Sequence, residues 1–558
     1  MKQATPSTIW EHIGKLSLAV LLACSLVAEA SAAPAKRMRH MLTLADGTSI
    51  EAVLMGDETL HYFQTDDGRC LQCDSSGIAR FVDAETQRAS KVNAARRIRQ
   101  RNAARLAKRR SASAGTAMTG SKRGLVVLAE FTDVHFSLPG ADFQRLFNEK
   151  GYSDATNSGS VRDYFLDQSY GQFDFCFDVV GPITLPHPRS YYGNNNSAGD
   201  DLLPATMVAD ALRLADAHVN FRDYDWDGDG EAEHVYVIHA GYDEAQSGTN
   251  ADIWSHAWTL TEAAEENPND GHGAIVLDGT RIDSYATSAE LQGRIGKIIT
   301  GIGTICHEFS HCFGLPDIYD TLGRNFGMDV WDIMDYGNYL GGDNSGGTPA
   351  GFTSYERMFC GWLRPTVLEE PIMVGRMPAL TDAPEAFILY NSGTPNEYYL
   401  LENRQKKGWD SYLPSHGLLI LHVDYDAEAW EDNEVNVDAS HPRLTIIPAD
   451  NIRSRFTVTG DTWPGTRGKT ELTDTSSPAA MLYQANANGK YSMGHSITEI
   501  AETPDGHIAF RFDKGLPDAI EALPSPSQER ESYNLWGQPV GRTYTGIIIS
   551  NGRKLWQK

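Results

Sequence analysis

The sequence predicts an α/β (α+β) domain built around one long helix, with a small β-rich unit before it and a β-sandwich after it. Three observations lead there. HEFSHCFGLPD at 307–317 sets two histidines four residues apart, on one helical face, and closes on Gly314, which can take a left-handed stop, and Pro316, which prevents resumption. Residues 35–83 alternate apolar positions between turns at Asp46-Gly47 and Asp67-Gly68. Beyond Pro365, the strand signals EAFILYN, EYYLLEN, GLLILHVD, RLTIIPA and HIAFRFD recur between Gly, Asn, Asp and Pro turns.

From the N-terminus, Lys15 precedes an apolar run at 16–28, and Ala30-Ser31-Ala32 follows as the small-x-small pattern of a signal peptidase site. The run falls short of the roughly 20 residues of a membrane span, so 1–32 is expected to be a removable signal and no stable transmembrane anchor is expected. Leu21-Leu22-Ala23-Cys24 offers lipidation at Cys24 as an alternative. Residues 33–90 are expected to form a propeptide. Residues 91–122, basic and then small and polar, are expected to form a linker cut by an activating protease. The central domain spans 123–365 and the sandwich 366–514. The tail 515–558 opens on Pro-Ser-Pro-Ser and is either a secretion signal or an extra hairpin. A chain of 558 residues with 41% hydrophobic content accommodates several such units. Its net charge of −26 excludes nucleic acid as a natural partner, because a polyanion is repelled by most of such a surface.

The chemistry concentrates at 307–317. His307 and His311 can direct ring nitrogens at one zinc ion, and Glu308 beside them can take a proton from water that the metal has acidified. Asp317 is the expected third ligand, with Glu356 in TSYERMFCGW as the competitor. A second acidic motif, DYDWDGDGEAE at 223–233, brings Asp225, Asp227, Asp229, Glu231 and Glu233 together as candidate calcium ligands, with Gly230 allowing the turn. Position twelve of that loop is Tyr236 rather than a bidentate glutamate, so no EF-hand is expected. HVYVIHAGYDEA after it alternates like a buried strand, which the acidic loop would brace. Of the seven cysteines, Cys306 and Cys312 sit in apolar surroundings that suit buried free thiols. The pair Cys70 and Cys73 could bridge, bind zinc or do neither. His422 and Asp424 read as strand residues rather than a second metal site.

These segments together resemble the immune inhibitor A family of secreted bacterial metallopeptidases. The likeness is carried by RGLVVLAEFTDVHF at 123–136, SVRDYFLDQSYGQFDF at 160–175, the acidic loop with its strand, IWSHAW at 253–258, the zinc segment and GFTSYERMFCGWLRP at 351–365. Asp317 falls where the metzincin pattern has a third histidine, so the resemblance implies a metzincin-like fold. In that case Met334 of WDIMDYG would be the Met-turn floor and Tyr336 a catalytic donor to the oxyanion. It implies a secreted endopeptidase made as a zymogen, with Zn2+ and Ca2+ as cofactors and protein or peptide substrates aligned as an added strand at the sheet edge. The rival reading is a catalytically inactive protease-like adhesin or binding protein.

Overall fold

The computed structural model describes residues 31–85 and 118–514, apart from 59, 60, 75, 84, 197, 198 and 234, together with four strands between 532 and 557. Residues 1–30 with Cys24, residues 86–117, which hold most of the expected linker 91–122, and much of 515–558 lie outside the described residues. No helix among the described residues is long and apolar enough to cross a membrane.

A six-stranded mixed sheet organises the centre. Its strands are β1 (Ser31–Ala32), β7 (Gly120–Glu130), β8 (Phe173–Thr184), β9 (Val235–Tyr242), β10 (His256–Thr259) and β13 (Ser284–Leu291), in the order β1-β10-β13-β9-β7-β8. The pairs from β13 to β8 are parallel, and β10 and β1 close one edge antiparallel. Between β10 and β13 lies a short hairpin, β11 (Ile275–Leu277) with β12 (Thr280–Ile282). As HVYVIHAGY suggests, β9 is a buried strand, and it is covered on both faces. Tyr236 and Ile238 join one core and Val235 and Val237 the other, because helices cover both sides of a mostly parallel sheet. Met207, Val208 and Leu212 of helix Pro204–Ala215 fill the second core.

The first core holds the helix Ile302–Cys312, whose residues are all buried. The expected long helix has 11 residues, about three turns. It stops because Gly314 adopts φ 95°, where a side chain would be strained. It can start close to its neighbours because Gly303 has no Cβ, which would lie 1.8 Å from the Asn338 carbonyl oxygen. Phe309 anchors it among Phe147, Phe165, Phe175, Phe177 and Tyr236. Removing such a ring costs about 3–5 kcal/mol.

On one side, β2 (Arg39–Leu44), β3 (Ser49–Gly56), β4 (His61–Gln64), β5 (Cys70–Cys73) and β6 (Ile78–Val82) close a small barrel. Its apolar core of Leu42, Leu54, Phe63 and Leu71 continues into Ala245 and Trp254 of the central unit. On the other side a five-stranded sheet (Thr366–Val367, Phe387–Asn391, Thr394–Arg404, Gly417–Asp424, Leu444–Ile446) and a three-stranded one (Ile372–Met377, His495–Glu502, Ile508–Lys514) share a core through Leu401, Ile420, Phe510 and Phe512. The opposite face of the larger sheet, with Leu400 and Leu421, packs into the first core, so that sheet is covered on both faces.

Candidate metal centre

Helical spacing and the turn after Gly314 bring three ligand atoms into a triangle. His307 Nε2 lies 3.1 Å from His311 Nε2 and 3.1 Å from Asp317 Oδ1, and the third edge is 3.4 Å. A tetrahedral zinc with bonds of about 2.0–2.1 Å needs ligand separations of about 3.3–3.4 Å. The other ring nitrogens are occupied: His307 Nδ1 donates to the Ile333 carbonyl at 2.7 Å and His311 Nδ1 to that of Leu315 at 2.8 Å. This tautomer turns both Nε2 lone pairs inward, as a metal requires. Asp317 is fully buried, and its Oδ1 has no hydrogen-bond donor. Burial alone would raise this carboxyl, but the imidazoles of His311 and His307 outweigh it and hold it below the usual carboxylate range. An orphaned buried oxygen facing two inward lone pairs fits a divalent cation.

Asn433 orients the third ligand, with its Nδ2 donating to Asp317 Oδ2 at 2.8 Å and its Oδ1 accepting the Asp317 N–H at 2.7 Å. It comes from 116 residues downstream, and no sequence motif marks it. Glu356, the competing ligand, lies elsewhere. It forms a capping box with Thr353 at helix Ser354–Phe359 and faces Asp332, whose carboxyl is raised by burial and by Glu356 itself.

Glu308 is fully buried, and its Oε1 accepts the Ala33 N–H at 2.8 Å while its Oε2 has no partner. Burial pushes its carboxyl well above the usual range. The chain that supplies Ala33 lies along the sheet edge, with β1 pairing antiparallel to β10 and placing Ser31 opposite Ala257 and Ala32 opposite His256. Trp254 Nε1 donates to the Ala33 carbonyl at 3.0 Å, and the Tyr339 hydroxyl to that of Pro34 at 2.8 Å. Ala35 donates to Gly56 of the barrel and Lys36 to the Ala245 carbonyl. The loop after β3 also reaches in, with Tyr319 donating to Asp57 Oδ2 at 3.3 Å. Burial first, then Asp57, Asp317 and Glu308, raise Glu58 well above its ordinary value.

Met334 is fully buried, and its carbonyl receives the Ile318 N–H. The ring of Tyr336 lies under the Arg37 guanidinium at 3.4 Å. Cys70 and Cys73 lie on β5 and are unbridged, as are Cys306 and Cys312, and none is among the clustered ligands. His422 bonds Glu397 from within its strand.

The carboxylates of Asp225, Asp227 and Asp229 also converge within 4.8 Å of one another, at the surface. The loop's own amides occupy them: Asp225 accepts from Gly228 and Gly230, and Asp229 from Glu231. Glu231 pairs with Arg281 at 2.7 Å. Glu233 accepts from the Trp226 amide, and burial pushes it up to about 7.

Residues 125–362 match the model of the immune inhibitor A peptidase M6 catalytic domain. The chain is 27% identical over 277 residues to Immune inhibitor A of Bacillus thuringiensis subsp. alesti, covering 42% of this chain and 39% of that protein. It is 30% identical over 242 residues to the pre-pro-metalloprotease PrtV of Vibrio cholerae serotype O1 in two strains, covering 38% of this chain and 25% of that protein. It thus spans well under two thirds of the length of these curated relatives. The segment 125–362, which holds Glu308 and the whole triangle of candidate ligands, is thus similar to the immune inhibitor A peptidase M6 catalytic domain.

Proposed function

We propose that the chain is a secreted zinc endopeptidase made in latent form, with His307, His311 and Asp317 holding the metal and Glu308 as general base. The observation that carries this is the buried 3.1–3.4 Å triangle beside a carboxylate that already receives an N–H from a peptide lying in the cleft. When bound, zinc supplies a Lewis acid that lowers the pKa of water to about 7 and polarises a carbonyl. Glu308 takes the water proton and delivers it to the departing nitrogen, whose position the Ala33 amide marks. The β10 edge aligns substrate as an added strand, with Trp254 and Tyr339 fixing carbonyls as they do for Ala33 and Pro34. Met334 serves as the floor. A phenol stabilises the oxyanion: sequence favours Tyr336, but its ring is covered by Arg37 and Tyr339 is taken up by the Pro34 carbonyl, so Tyr319, which feels Asp317 and Glu308, is the better-placed donor.

Latency follows from the same contacts, since residues 33–35 fill the place of substrate and the barrel holds them there. Cleavage by signal peptidase after Ala32 would leave the Ala33 α-amino group against Glu308, so activation requires 33–90 to leave after a cut in the linker. A calcium ion at Asp225, Asp227 and Asp229 would brace the turn into β9.

The test is casein hydrolysis by the processed chain, with and without a zinc chelator, beside metal analysis. One zinc per chain and chelator-sensitive cleavage are expected, and Glu308→Gln should keep the zinc while losing about 10²–10⁴-fold in kcat/KM. Stoichiometric zinc with casein left intact, as an adhesin would give, overturns the proposal.

A further inference from the structure

We infer, resting on the peptidase reading above, that the cleft carries an acidic subsite for an arginine or lysine side chain, formed by Asp329, Asp335 and the ring of Tyr336, which reads the fifth substrate residue after the bond to be cut. The register comes from the segment that occupies the cleft. β1 lies antiparallel along β10, and the Ala33 N–H meets Glu308. The Ala32–Ala33 bond therefore stands at the scissile position, with Ala33 first after it and Arg37 fifth. Four residues reach at most about 13 Å, which bounds how far Arg37 stands from the bond to be cut. Around Arg37, a bond from Met38 N–H to the Lys36 carbonyl turns the chain away toward the barrel.

Within that reach the Arg37 guanidinium covers the Tyr336 ring, 3.4 Å from its centre, and Nη1 donates to Asp329 Oδ2 at 3.1 Å. The loop is built to present that oxygen. Asp335, 1% exposed, is consumed internally, accepting the amides of Met328 and Asp329 on Oδ2 and of Tyr336 on Oδ1. Asp329, 5% exposed, is held at φ 49°, and its Oδ2 receives no other hydrogen bond among the described residues. A flat ring face beside one buried carboxylate oxygen suits a guanidinium, which stacks and donates at once. All three residues lie within the catalytic segment 125–362 and remain when the N-terminal segment leaves, so Asp329 then needs a new cation. An adjoining cavity of about 320 Å³ leaves room for a longer chain. Arg455, exposed at its rim and influenced by Asp329, is the competing cation.

The experiment takes the full zinc-loaded chain after cleavage in its linker. Quenched peptides identical except for Arg, Lys, Ala or Glu at the fifth residue past the cut are compared by kcat/KM. The Arg peptide is expected to exceed the Ala peptide about tenfold or more, with Lys between them and Glu lowest. Asp329→Asn, which tolerates the left-handed backbone, should bring the Arg/Ala ratio toward one. Arg455→Ala, which leaves the loop intact, should raise that ratio and serves as the second arm if the first variant misfolds. Equal turnover of the Arg and Ala peptides, a ratio unmoved by Asp329→Asn, or one unmoved by Arg455→Ala overturns the subsite. If none of the four peptides is cut, it is the peptidase reading that fails.

Discussion

Two clusters among the described residues converge closely enough to hold a cation, and they differ in everything but that convergence. His307, His311 and Asp317 are buried, their spare atoms are bonded to Ile333, Leu315 and Asn433, and one carboxylate oxygen has no donor. Asp225, Asp227 and Asp229 lie at the surface and satisfy themselves with the loop's own amides. In the first case the fold has withheld hydrogen bonds that an ion must replace. In the second, the backbone already does the work, so an ion would gain little. Proximity of acidic groups is thus a weak sign of a metal, and buried dissatisfaction a strong one.

The largest effect that sharpens this contrast is expected from His311→Ala, which should abolish zinc binding and casein cleavage together in metal and activity assays. Asp227→Asn should leave one zinc per chain, and loss of zinc from that variant would break the comparison. Next comes Asn433→Ala, which frees Asp317 to rotate. Zinc affinity, read by competition with a chromogenic chelator, should weaken about 10–100-fold. Unchanged affinity would mean that the outer hydrogen bonds are incidental. Calcium should act more mildly, raising the unfolding temperature by about 1 °C for each kcal/mol of binding in a chain of this size. Scanning calorimetry of the wild type and Asp227→Asn checks this, and a shift of equal size in both would assign the ion elsewhere.

The smallest effect concerns what keeps the buried centre covered. Burial, aided by Arg294, lowers His40 of the barrel to about 4, against an ordinary value of 6.5. A barrel that has come away regains the ordinary value, so it takes up a proton that the docked one refuses. Docking is then complete above about pH 6.5 and weakens as pH falls toward 4. Zinc removal by a chelator should accelerate over that range in the wild type and less so in His40→Gln, while the surface loop keeps its properties.

The sequence made the metal helix legible because its information is local: spacing of four, a base beside the first ligand, and a glycine stop. Strands after Pro365 were legible for the same reason, each being a short apolar run between turn residues. Less could be read where distant segments meet. Nothing near Ser31 or Ala32 says that they will pair with β10 some 225 residues away, and Ala-Ser-Ala reads first as a processing site. The same holds for Asn433, an asparagine in a polar stretch whose role depends on where Asp317 lies. Trp254 was visible within IWSHAW but gave no hint that its indole would hold a carbonyl in the cleft. β9 was legible as a buried strand from its apolar run, and the helices on both faces of a mostly parallel sheet account for that burial.

The sheet covered on both faces has a consequence for what counts as a unit. The match to the family model stops at residue 362, but the contacts that set the candidate metal site do not. Arg404 clasps the carbonyls of Trp331 and Gly351, Asp461 accepts the Trp331 indole N–H, and Asn433 aims the third ligand. A chain ended at that boundary would expose one wall of its own interior and let Asp317 swing. The piece that matches the family model is therefore smaller than the piece that can stand alone, and shortening this chain for study means keeping the strands through Lys514.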